Sequence, residues 1–525
     1  MAGVDQIAVR AASVMVGARL LNVALGLLTI PALISFLGGE GFAAWAVLLA
    51  MAAGFSLLEV GMPSTVVRFL AVPMRDGHWD AGRAVIAQVW LVLGTIFGAG
   101  GLLIFLFANQ VSRWLGLPTM NGASPAVAIW LIYCCVWARA MLQVGTLSLV
   151  AQRRFGAVSA VSLAQAAASN VVAVIAAVAT RRLDVTLIAY WGCQLAVVGW
   201  VFVVTRRVCT PLFSVRTLEF ARLVELVRFG VANQMDAVAQ FVNFQFDKFV
   251  VAGVMGLWGV APYEVANRAV AALRSIPASG AETFLPTAMV HGDDPDRAWE
   301  WYESSTRLVA YGACIFLLAP LSISPLFLYA WTGEMGHVGG GVFAALCIGT
   351  VATVIALPAA ALAQAGGATG LQNRAAVYSM LLNVVFSLGL VLQWGLVGAA
   401  IGTCIAMTSG ALLLIRAVHL RLGRPLRKTL ALLAHFWPLV VVSLLWGAVS
   451  YEIYDTWIAP LERSVRFSRA TRLWPGIWAL GIGALCVGTM LAVELSRGRV
   501  GKRDLDFFAR IVGRRRSGSA GSKVL

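Results

Sequence analysis

The sequence predicts an all-α protein that crosses a membrane many times. Three observations support this prediction. Of the 525 residues, 60% are hydrophobic and 12% are charged, whereas soluble domains carry about 45–50% apolar and about 25% charged residues. The mean hydropathy is +0.83. The apolar residues also form repeated runs of roughly 20 residues, the length that crosses a bilayer as a helix.

We expect fourteen membrane-spanning helices from these runs. In chain order the spans lie near residues 12–36, 42–70, 84–109, 124–150, 156–179, 185–205, 229–254, 260–290, 303–330, 339–367, 375–394, 396–415, 431–451 and 474–496. The segment MAGVDQIAVR at the N-terminus has no basic start, and no small-residue cleavage site follows it. The first span is therefore expected to be a real membrane helix rather than a removable signal peptide.

Basic residues are distributed unequally between the two sides of these spans. With the N-terminus placed inside, 26 of the 40 Lys and Arg fall in inner segments, 7 in outer segments and 7 within spans. Because basic residues favour the cytoplasmic side, both termini are predicted to be cytoplasmic. The net charge of +16 is concentrated beside membrane helices, which favours contact with anionic lipid headgroups over nucleic acid.

Several kinds of chemistry find no support in the sequence. The P-loop pattern GxxxxGK[ST] is absent, and the eight Cys show no metal-ligand spacing. The segments between spans are too short to form a soluble catalytic domain. We therefore expect no catalytic residues, no metal site and no cofactor, and we expect the function to be built within the helical bundle.

The seventh span carries polar residues at spacings of 3, 4, 3 and 4. Such spacing puts them on one face of an α-helix, and that face is expected to line a cavity or meet a partner because charges inside a membrane are costly. A set of buried pairs that brace the bundle is the alternative. The residues are Asn233, Asp236, Gln240, Asn243 and Asp247.

The first span has a sparser polar face that consists of Arg19, Asn22, Gly26 and Thr29. Arg19 and Asp236 lie at similar depth, about seven residues from the inner end, so they could pair across a central space. Asp247 is similarly level with Arg268 of the eighth span. Glu264 and Arg268 stand at i, i+4, so a local ion pair is the alternative for Arg268.

Further charges lie within the predicted spans. Arg68 is close enough to a helix end to extend its charge to the membrane surface. The others are expected deeper in the membrane: Glu59, Arg139 and Arg274.

An internal repeat is indicated by two glycine-containing segments. LGGEGFAAW at 37–45 aligns with MGLWGVAPY at 255–263, matching Gly38 with Gly256 and Trp45 with Tyr263. Six helices per repeat give two parallel bundles related by an axis along the membrane normal. We expect one bundle at 1–228, a second at 229–430, an additional helix pair at 431–496 and a basic cytoplasmic tail at 497–525.

Two long segments give the sequence a family resemblance. LLNVALGLLTIPALISFLGGEGFAAWAVL and FQFDKFVVAGVMGLWGVAPYEVANRAVAALRSIPASGAETFLPTAMV resemble polysaccharide exporters and O-antigen flippases of the multidrug/oligosaccharidyl-lipid/polysaccharide superfamily, as does GLVGAAIGT at 395–403. The resemblance implies transport of undecaprenyl-diphosphate-linked glycans across the bacterial inner membrane, with glycan polymerases or glycosyltransferases as partners. Asp247 and Tyr263 match residues common in that family, whereas Glu59 stands where an aspartate is frequent. Fourteen spans is the number found in the related lipid II flippases.

The residue chemistry is compatible with such a cargo. A diphosphate needs fixed cations, and Arg offers bidentate contacts. The candidates are Arg19, Arg139, Arg268 and Arg274. Coupling to H⁺ or Na⁺ could use Asp247, Asp236 or Glu59. The remaining cavity-lining candidates are Asn22, Thr29, Asn233, Gln240, Asn243 and Glu264.

Two rival functions remain open from the sequence. A multidrug antiporter of the same superfamily would share the repeat and the acidic residues, but its cationic drugs favour an acidic cavity. A membrane glycan polymerase or ligase would need a larger outer loop than the Arg-rich segment 452–473.

Overall fold

The computed structural model describes residues 2–119, 124–211, 220–281, 284–291, 294–460 and 473–497. Nearly all of these residues are helical, and these ranges contain no β-strand. The prediction of an all-α membrane protein is therefore confirmed.

The helices, labelled in chain order, follow one another with short connections. They are α1 Ala2–Phe55, α2 Met62–Arg75, α3 Trp79–Trp114, α4 Pro125–Leu142, α5 Val144–Ala151, α6 Phe155–Thr180, α7 Leu183–Val204, α8 Arg206–Cys209, α9 Phe220–Phe241, α10 Asp247–Met255, α11 Leu257–Ala281, α12 Phe284–His291, α13 Pro295–Ala313, α14 Ala319–Ser322, α15 Ser324–Thr332, α16 Glu334–Val338, α17 Gly340–Ile355, α18 Leu357–Ala365, α19 Thr369–Arg421, α20 Arg427–Ala434, α21 Trp437–Ile453 and α22 Leu473–Ser496. A 3₁₀ turn covers Ser56–Glu59, and π-helical turns cover Val242–Phe246, Cys314–Leu318 and Tyr454–Ile458.

Ten helical stretches in the described ranges are long and apolar enough to cross a membrane. One of them, Thr369–Arg421, contains two of the predicted spans. The chain is thus a multi-pass membrane protein, while the number fourteen stays a prediction.

Two very long helices are bent at a glycine. At about 1.5 Å per residue, the 54 residues of α1 would reach about 80 Å if straight, well over one bilayer thickness. The chain turns back at Gly38, where φ is +75°. In α19 it turns at Gly395, where φ is +57°. Each of these helices therefore supplies two antiparallel arms, because glycine adopts positive φ without a Cβ clash.

The glycines aligned by the internal repeat have the same backbone conformation. Gly38 has φ 75° and ψ 174°, and Gly256, between α10 and α11, has φ 78° and ψ −178°. The aligned aromatic residues Trp45 and Tyr263 are both buried. These agreements support the repeat at its best-aligned segment. The domain boundaries stay predictions, and the tail from residue 498 lies outside the described residues.

The two arms of α1 lie at the centre of the packing. α1 contacts α6 and α11, and α19 packs against α10 and α17. The largest buried cluster runs continuously through these helices. The last two long helices, α21 and α22, pack on each other and on α14 and α15, where they form smaller clusters of their own.

The predicted span 42–70 is not one continuous helix. The 3₁₀ turn ends at Glu59, Val60 and Gly61 have positive φ, and α2 then begins at Met62. Pro63 lies in the first turn of α2, where its missing N–H is not needed. The predicted span 260–290 is likewise divided between α11 and α12. Sequence hydropathy does not reveal these breaks because the apolar character continues through them.

The close approach of the two arms of α19 gives a stability prediction. A Cβ added at Gly402 would lie 2.5 Å from the backbone N of Ser387 in the other arm. We expect Gly402→Ala to lower the free energy of unfolding by about 1–3 kcal/mol, because the arms must separate. The measurement is the thermal unfolding midpoint of the purified protein in detergent. Gly389→Ala is the matched control, since a Cβ there meets nothing within 4 Å; equal midpoints for both variants would contradict the prediction.

Candidate functional site

The predicted polar face of the seventh span is divided in the structure. α9 gives way to the π-helical turn Val242–Phe246 before α10 begins at Asp247. A π turn adds a residue to the helical turn, so it rotates everything that follows relative to an ideal α-helix. Gln240 and Asn243 line cavities, whereas Asp247 is 1% exposed and packs elsewhere. The predicted cavity-lining face therefore does not extend to Asp247, although Asn243 and Asp247 both bond to side chains of α19, and the common face of all five residues stays a prediction. The side chains of Asn233 and Asp236 are not among those that the structure describes.

Asp247 lies in a buried polar cluster rather than beside Arg268. The hydroxyls of Tyr263 and Thr403 both donate to its Oδ2. The amide of Asn383 donates to the Thr403 Oγ1 at 3.1 Å, and Ser387 donates to the Asn383 Oδ1 at 3.3 Å. The second carboxylate oxygen, Oδ1, is buried and accepts no hydrogen bond within the described residues. Asp247 and Arg268, expected at similar depth, therefore belong to different clusters.

The neighbouring residue, Lys248, belongs to a charge cluster with Glu264 and Arg268. The Lys248 Nζ lies 2.6 Å from the Glu264 Oε2, and the Arg268 Nε lies 2.6 Å from the Glu264 Oε1. Lys248 also donates to the Gln245 Oε1 at 2.7 Å. Lys248 and Glu264 are almost fully buried, while the Arg268 side chain is 38% exposed. The local Glu264–Arg268 pair suggested by the i, i+4 spacing is present.

This charge cluster lies in the wall of a cavity of about 670 Å³. Leu49, Ser56 and Leu57 line one side, and Gln240 and residues from α10 and α11 line the other. The charged lining residues are Lys248, Glu264, Arg268 and Arg274. Three cations and one carboxylate make the described wall net positive. We refer to this space as the central cavity.

Arg274 lies between the central cavity and a second cavity of about 400 Å³. Its guanidinium carbon lies 4.0 Å from the centroid of the Phe244 ring. Gln240 lines both spaces, and Asn243 lines the second, where it accepts from Ser379 at 3.4 Å. Arg274 can therefore face a ligand in either cavity while it stacks on an aromatic ring.

Arg139 and Glu59 form an ion pair with each other. The Arg139 Nη2 lies 2.8 Å from the Glu59 Oε1, and Arg139 also donates to Gln143 at 3.3 Å. Glu59 borders a void of only about 10 Å³. Arg139 is not among the described residues that line the central cavity. Its charge is paired with that of Glu59. The arrangement braces α4 against the turn that precedes α2.

The polar face of the first span is described only in part. Thr29 is 7% exposed, and its hydroxyl donates to the Leu25 carbonyl within the helix at 2.7 Å. This bond satisfies the hydroxyl without a cavity. The side chains of Arg19 and Asn22 lie outside the described ones, so the expected Arg19–Asp236 pair stays a prediction.

Next to the central cavity, the turn before α2 meets α9 through two glycines. A Cβ added at Gly61 would lie 2.2 Å from the Gly230 carbonyl oxygen, and one at Gly230 would lie 2.3 Å from the Val60 carbonyl oxygen. The Gln234 amide also donates to the Leu57 carbonyl at 2.9 Å. Nearby, Arg68 stacks on Phe229 at 4.4 Å. This glycine contact joins the turn before α2 to α9 beside Leu57, which lines the central cavity.

Several residues of the site were missed by sequence reasoning. Lys248 stands next to Asp247 in the printed sequence, but the α-helical pattern gave it no place on the polar face. Asn383, Ser387 and Thr403 are single polar residues in apolar spans. The i, i+4 spacing of Asn383 and Ser387 was a usable signal, because it puts both on one side of a helix.

These features define a class of protein: a multi-pass membrane transporter with a charged cavity between packed helices. Comparisons with known proteins agree with this assignment to the membrane transporters. A family model described as "Polysaccharide biosynthesis protein" matches residues 79–332. A Shigella flexneri protein to which O-antigen transport is ascribed is 25% identical over 392 residues, which is 72% of this chain and 90% of the relative.

Two solved structures show the fold. The lipid II flippase MurJ in an inward closed conformation superposes with a TM-score of 0.68 at 14% identity, over 92% of this chain and 99% of MurJ. An inward-facing multidrug resistance MATE family transporter of the MOP superfamily gives a TM-score of 0.61 at 13% identity, over 78% of this chain and 98% of that transporter. The resemblance found in the motifs is confirmed: this chain is similar to a polysaccharide biosynthesis family and to an O-antigen transporter, and it shares its fold with MurJ and the MATE family transporter. Its relatives are transporters and flippases rather than enzymes.

The glycine contact gives a prediction about access to the central cavity. We expect Gly230→Ala to push α9 away from Val60 and to open this side of the cavity. The measurement is the rate at which a membrane-impermeant maleimide labels Ala237→Cys, a cavity-lining position, in a variant that lacks the eight native cysteines. When the maleimide is added on the side of the glycine contact, labelling of Ala237→Cys should accelerate several-fold.

Gly98→Ala is the matched control for this experiment, because a Cβ there meets nothing within 4 Å. An unchanged labelling rate in the folded Gly230→Ala variant would show that the glycine contact does not control access.

Proposed function

We propose that this protein is a flippase that moves an undecaprenyl-diphosphate-linked oligosaccharide or polysaccharide precursor across the bacterial inner membrane by alternating access. The observation that carries the proposal is the net positive wall of the central cavity, where Lys248, Arg268 and Arg274 outnumber Glu264. The likeness to a protein linked with O-antigen transport and to the lipid II flippase fold supports it.

A diphosphate headgroup fits the chemistry of this wall. Lys248 and Arg268 share one carboxylate, so their two positive charges are only half compensated. Arg268 is partly exposed and keeps N–H groups that Glu264 does not occupy. Guanidinium groups bind phosphate oxygens in a bidentate manner. The volume of about 670 Å³ lies within the range of about 300–1,000 Å³ typical of small-ligand pockets, which suits a headgroup with its first sugars.

The membrane orientation is part of this proposal. The excess of basic residues in alternate connecting segments supports cytoplasmic termini. The glycine contact between α9 and the turn before α2 would then close the cavity toward the cytoplasm. The cargo would be loaded from the cytoplasmic leaflet after this contact opens. Glycosyltransferases that build the glycan and polymerases that extend it would be its partners.

A multidrug antiporter is the main rival function. Cationic drugs would meet three cations and one carboxylate in the described wall of the central cavity, and like charges repel. The sign of the wall therefore favours an anionic cargo.

The cargo proposal predicts the effects of substituting Arg268 and Arg274. Arg→Ala at either position should reduce export roughly tenfold or more, because a charge-assisted hydrogen bond contributes about 1.5–3 kcal/mol. Arg→Lys should cause a smaller loss, since the charge remains while the planar fork is removed. The measurement is a leaflet-specific assay of undecaprenyl-linked glycan in cells without a redundant flippase.

Arg182→Ala is the control, since it removes an equal charge from an exposed pair with Asp184. Normal outer-leaflet glycan in Arg268→Ala and Arg274→Ala variants at wild-type protein levels would contradict the cargo proposal. Drug resistance that depends on the protein would instead favour the antiporter.

We further propose that the Asp247 cluster binds the coupling ion, H⁺ or Na⁺. The Asp247 Oδ1 is buried without a hydrogen bond in the described structure, so its lone pairs remain available to a proton or a cation. The hydroxyls of Tyr263 and Thr403 contact the carboxylate, and a chain of hydrogen bonds continues from Thr403 to Asn383 and Ser387. Oxygen ligands suit Na⁺, and a single carboxylate would balance its single charge. Asp236 and Glu59 were the other candidates; Glu59 is paired with Arg139.

This proposal predicts ion-dependent stability. If Na⁺ binds, the unfolding midpoint of the purified protein should rise with NaCl relative to KCl, because a ligand that binds the folded state stabilises it. If H⁺ is the ion, the midpoint should depend on pH and not on Na⁺. In both cases Asp247→Asn, which keeps the shape, should abolish the dependence, while Asp80→Asn at an exposed position should not. Identical ion and pH responses of the wild type and Asp247→Asn would remove Asp247 from coupling.

A further inference from the structure

A third cavity, of about 580 Å³, lies away from the central cavity. It is formed where α13, α20 and the end of α22 meet. Its lining includes the acidic residues Glu303 and Glu494, the cations Arg307 and Lys428, the imidazole of His435, and the rings of Trp299, Tyr311 and Phe436. This combination differs from the central cavity, where cations dominate. Neither the cargo nor the coupling ion gives this cavity a role.

The acidic side of this cavity is a buried carboxylate. Glu494 is 5% exposed and lies near the end of α22. Its Oε2 accepts from the Tyr311 hydroxyl at 3.0 Å, and the Arg497 Nη1 lies 3.9 Å from its Oε1. The latter distance is too long for a hydrogen bond. Within the described residues this buried carboxylate has one neutral donor and one distant cation, which suits it to bind an additional cationic group.

Aromatic rings lie beside this carboxylate. Tyr311 and Phe436 meet edge to face, with centroids 4.9 Å apart, and both line the cavity together with Trp299. Aromatic faces attract an ammonium group, most strongly where it loses water. The carboxylate and the rings together form a site for an alkylammonium.

The other side of the cavity carries basic residues. Arg307 and Lys428 line it. The Arg307 Nη2 lies 3.5 Å from the Glu303 Oε1, a long contact between half-exposed side chains, and such pairs contribute little. The Lys428 Nζ lies 5.7 Å from the Trp299 ring centroid. These two cations can bind a phosphate across the cavity from Glu494.

The cavity lies at the rim of the apolar surface. Candidate membrane spans end at Glu494 and begin at Trp437, directly after Phe436. Beyond them the surfaces of α21 and α22 expose large apolar side chains, such as Leu444, Leu445 and Leu491. A headgroup in the cavity would therefore have a surface beside it for acyl chains.

We propose that this cavity binds the headgroup of an ethanolamine phospholipid from the adjacent leaflet. The ammonium is bound by Glu494 and by the faces of Tyr311 and Phe436, and the phosphate by Arg307 and Lys428. The site requires both charges of the zwitterion. An anionic phospholipid or a polyprenyl diphosphate supplies phosphate but leaves the Glu494 carboxylate without a cation. This site is independent of the cargo proposed for the central cavity.

Lipid binding to the full-length purified protein tests this proposal. Native mass spectrometry would compare palmitoyl-oleoyl phosphatidylethanolamine with phosphatidylglycerol of the same chains. The wild type should bind the ethanolamine lipid about tenfold more tightly. Glu494→Gln keeps the shape and the acceptor for Tyr311, and should reduce ethanolamine-lipid binding about tenfold without weakening phosphatidylglycerol binding. Glu300→Gln is the control, because this exposed glutamate on α13 does not line the cavity.

Three results would overturn the proposal. They are equal binding of the two lipids by the wild type, preference for phosphatidylglycerol, and unchanged ethanolamine-lipid binding in Glu494→Gln. If Glu494→Gln does not accumulate, Tyr311→Phe serves as the second variant. It removes the Tyr311–Glu494 hydrogen bond but keeps the ring and the carboxylate, so it should retain the preference for the ethanolamine lipid, and loss of that preference would count against the proposal.

Discussion

The carboxylate of Glu264 connects two cations at the wall of the central cavity. Lys248 comes from α10, and Glu264 and Arg268 come from successive turns of α11, so one carboxylate joins both helices. Removing one member of such a buried group generally costs about 3–5 kcal/mol, because the remaining charge loses its partner. The same arrangement leaves one positive charge in excess. Stability and the attraction of an anion thus have a common physical origin here.

Two adjacent residues at the start of α10 belong to two kinds of polar site. Asp247 and Lys248 are neighbours in the chain, yet Asp247 joins hydroxyls of Tyr263 and Thr403 while Lys248 borders the cavity. An ion bound at Asp247 would therefore lie one residue from the group that meets the cargo. Because both residues belong to the first turn of α10, a rotation of this helix would move both sites together. This is a short physical connection through which ion binding and cargo binding could influence each other.

The glycine positions explain how these helices come so close. Gly38 and Gly256 allow the chain to reverse at equivalent places in the repeat. The reversal at Gly256 sets α10 and α11 side by side. Gly61 and Gly230 allow the backbones of the turn before α2 and of α9 to meet directly. A change of access at this contact would separate these backbones together with the adjacent side chains of Met62 and Thr65. In membrane proteins generally, small residues allow the backbones of two helices to approach each other closely.

The sequence alone determined the membrane location, the helical class and the repeat, because hydropathy and glycine spacing are properties of the chain itself. It also offered the Glu264–Arg268 pair as an alternative that the structure contains, since residues at i, i+4 are neighbours on an α-helix. It did not determine the partners of Asp247, which lie 16 and 156 residues away, nor the pairing of Arg139 with Glu59 across 80 residues. Those contacts depend on how each helix is rotated in the bundle. The π turn changes that rotation without changing the apolar pattern, so the tertiary structure decided which polar residues face the cavity and which are buried.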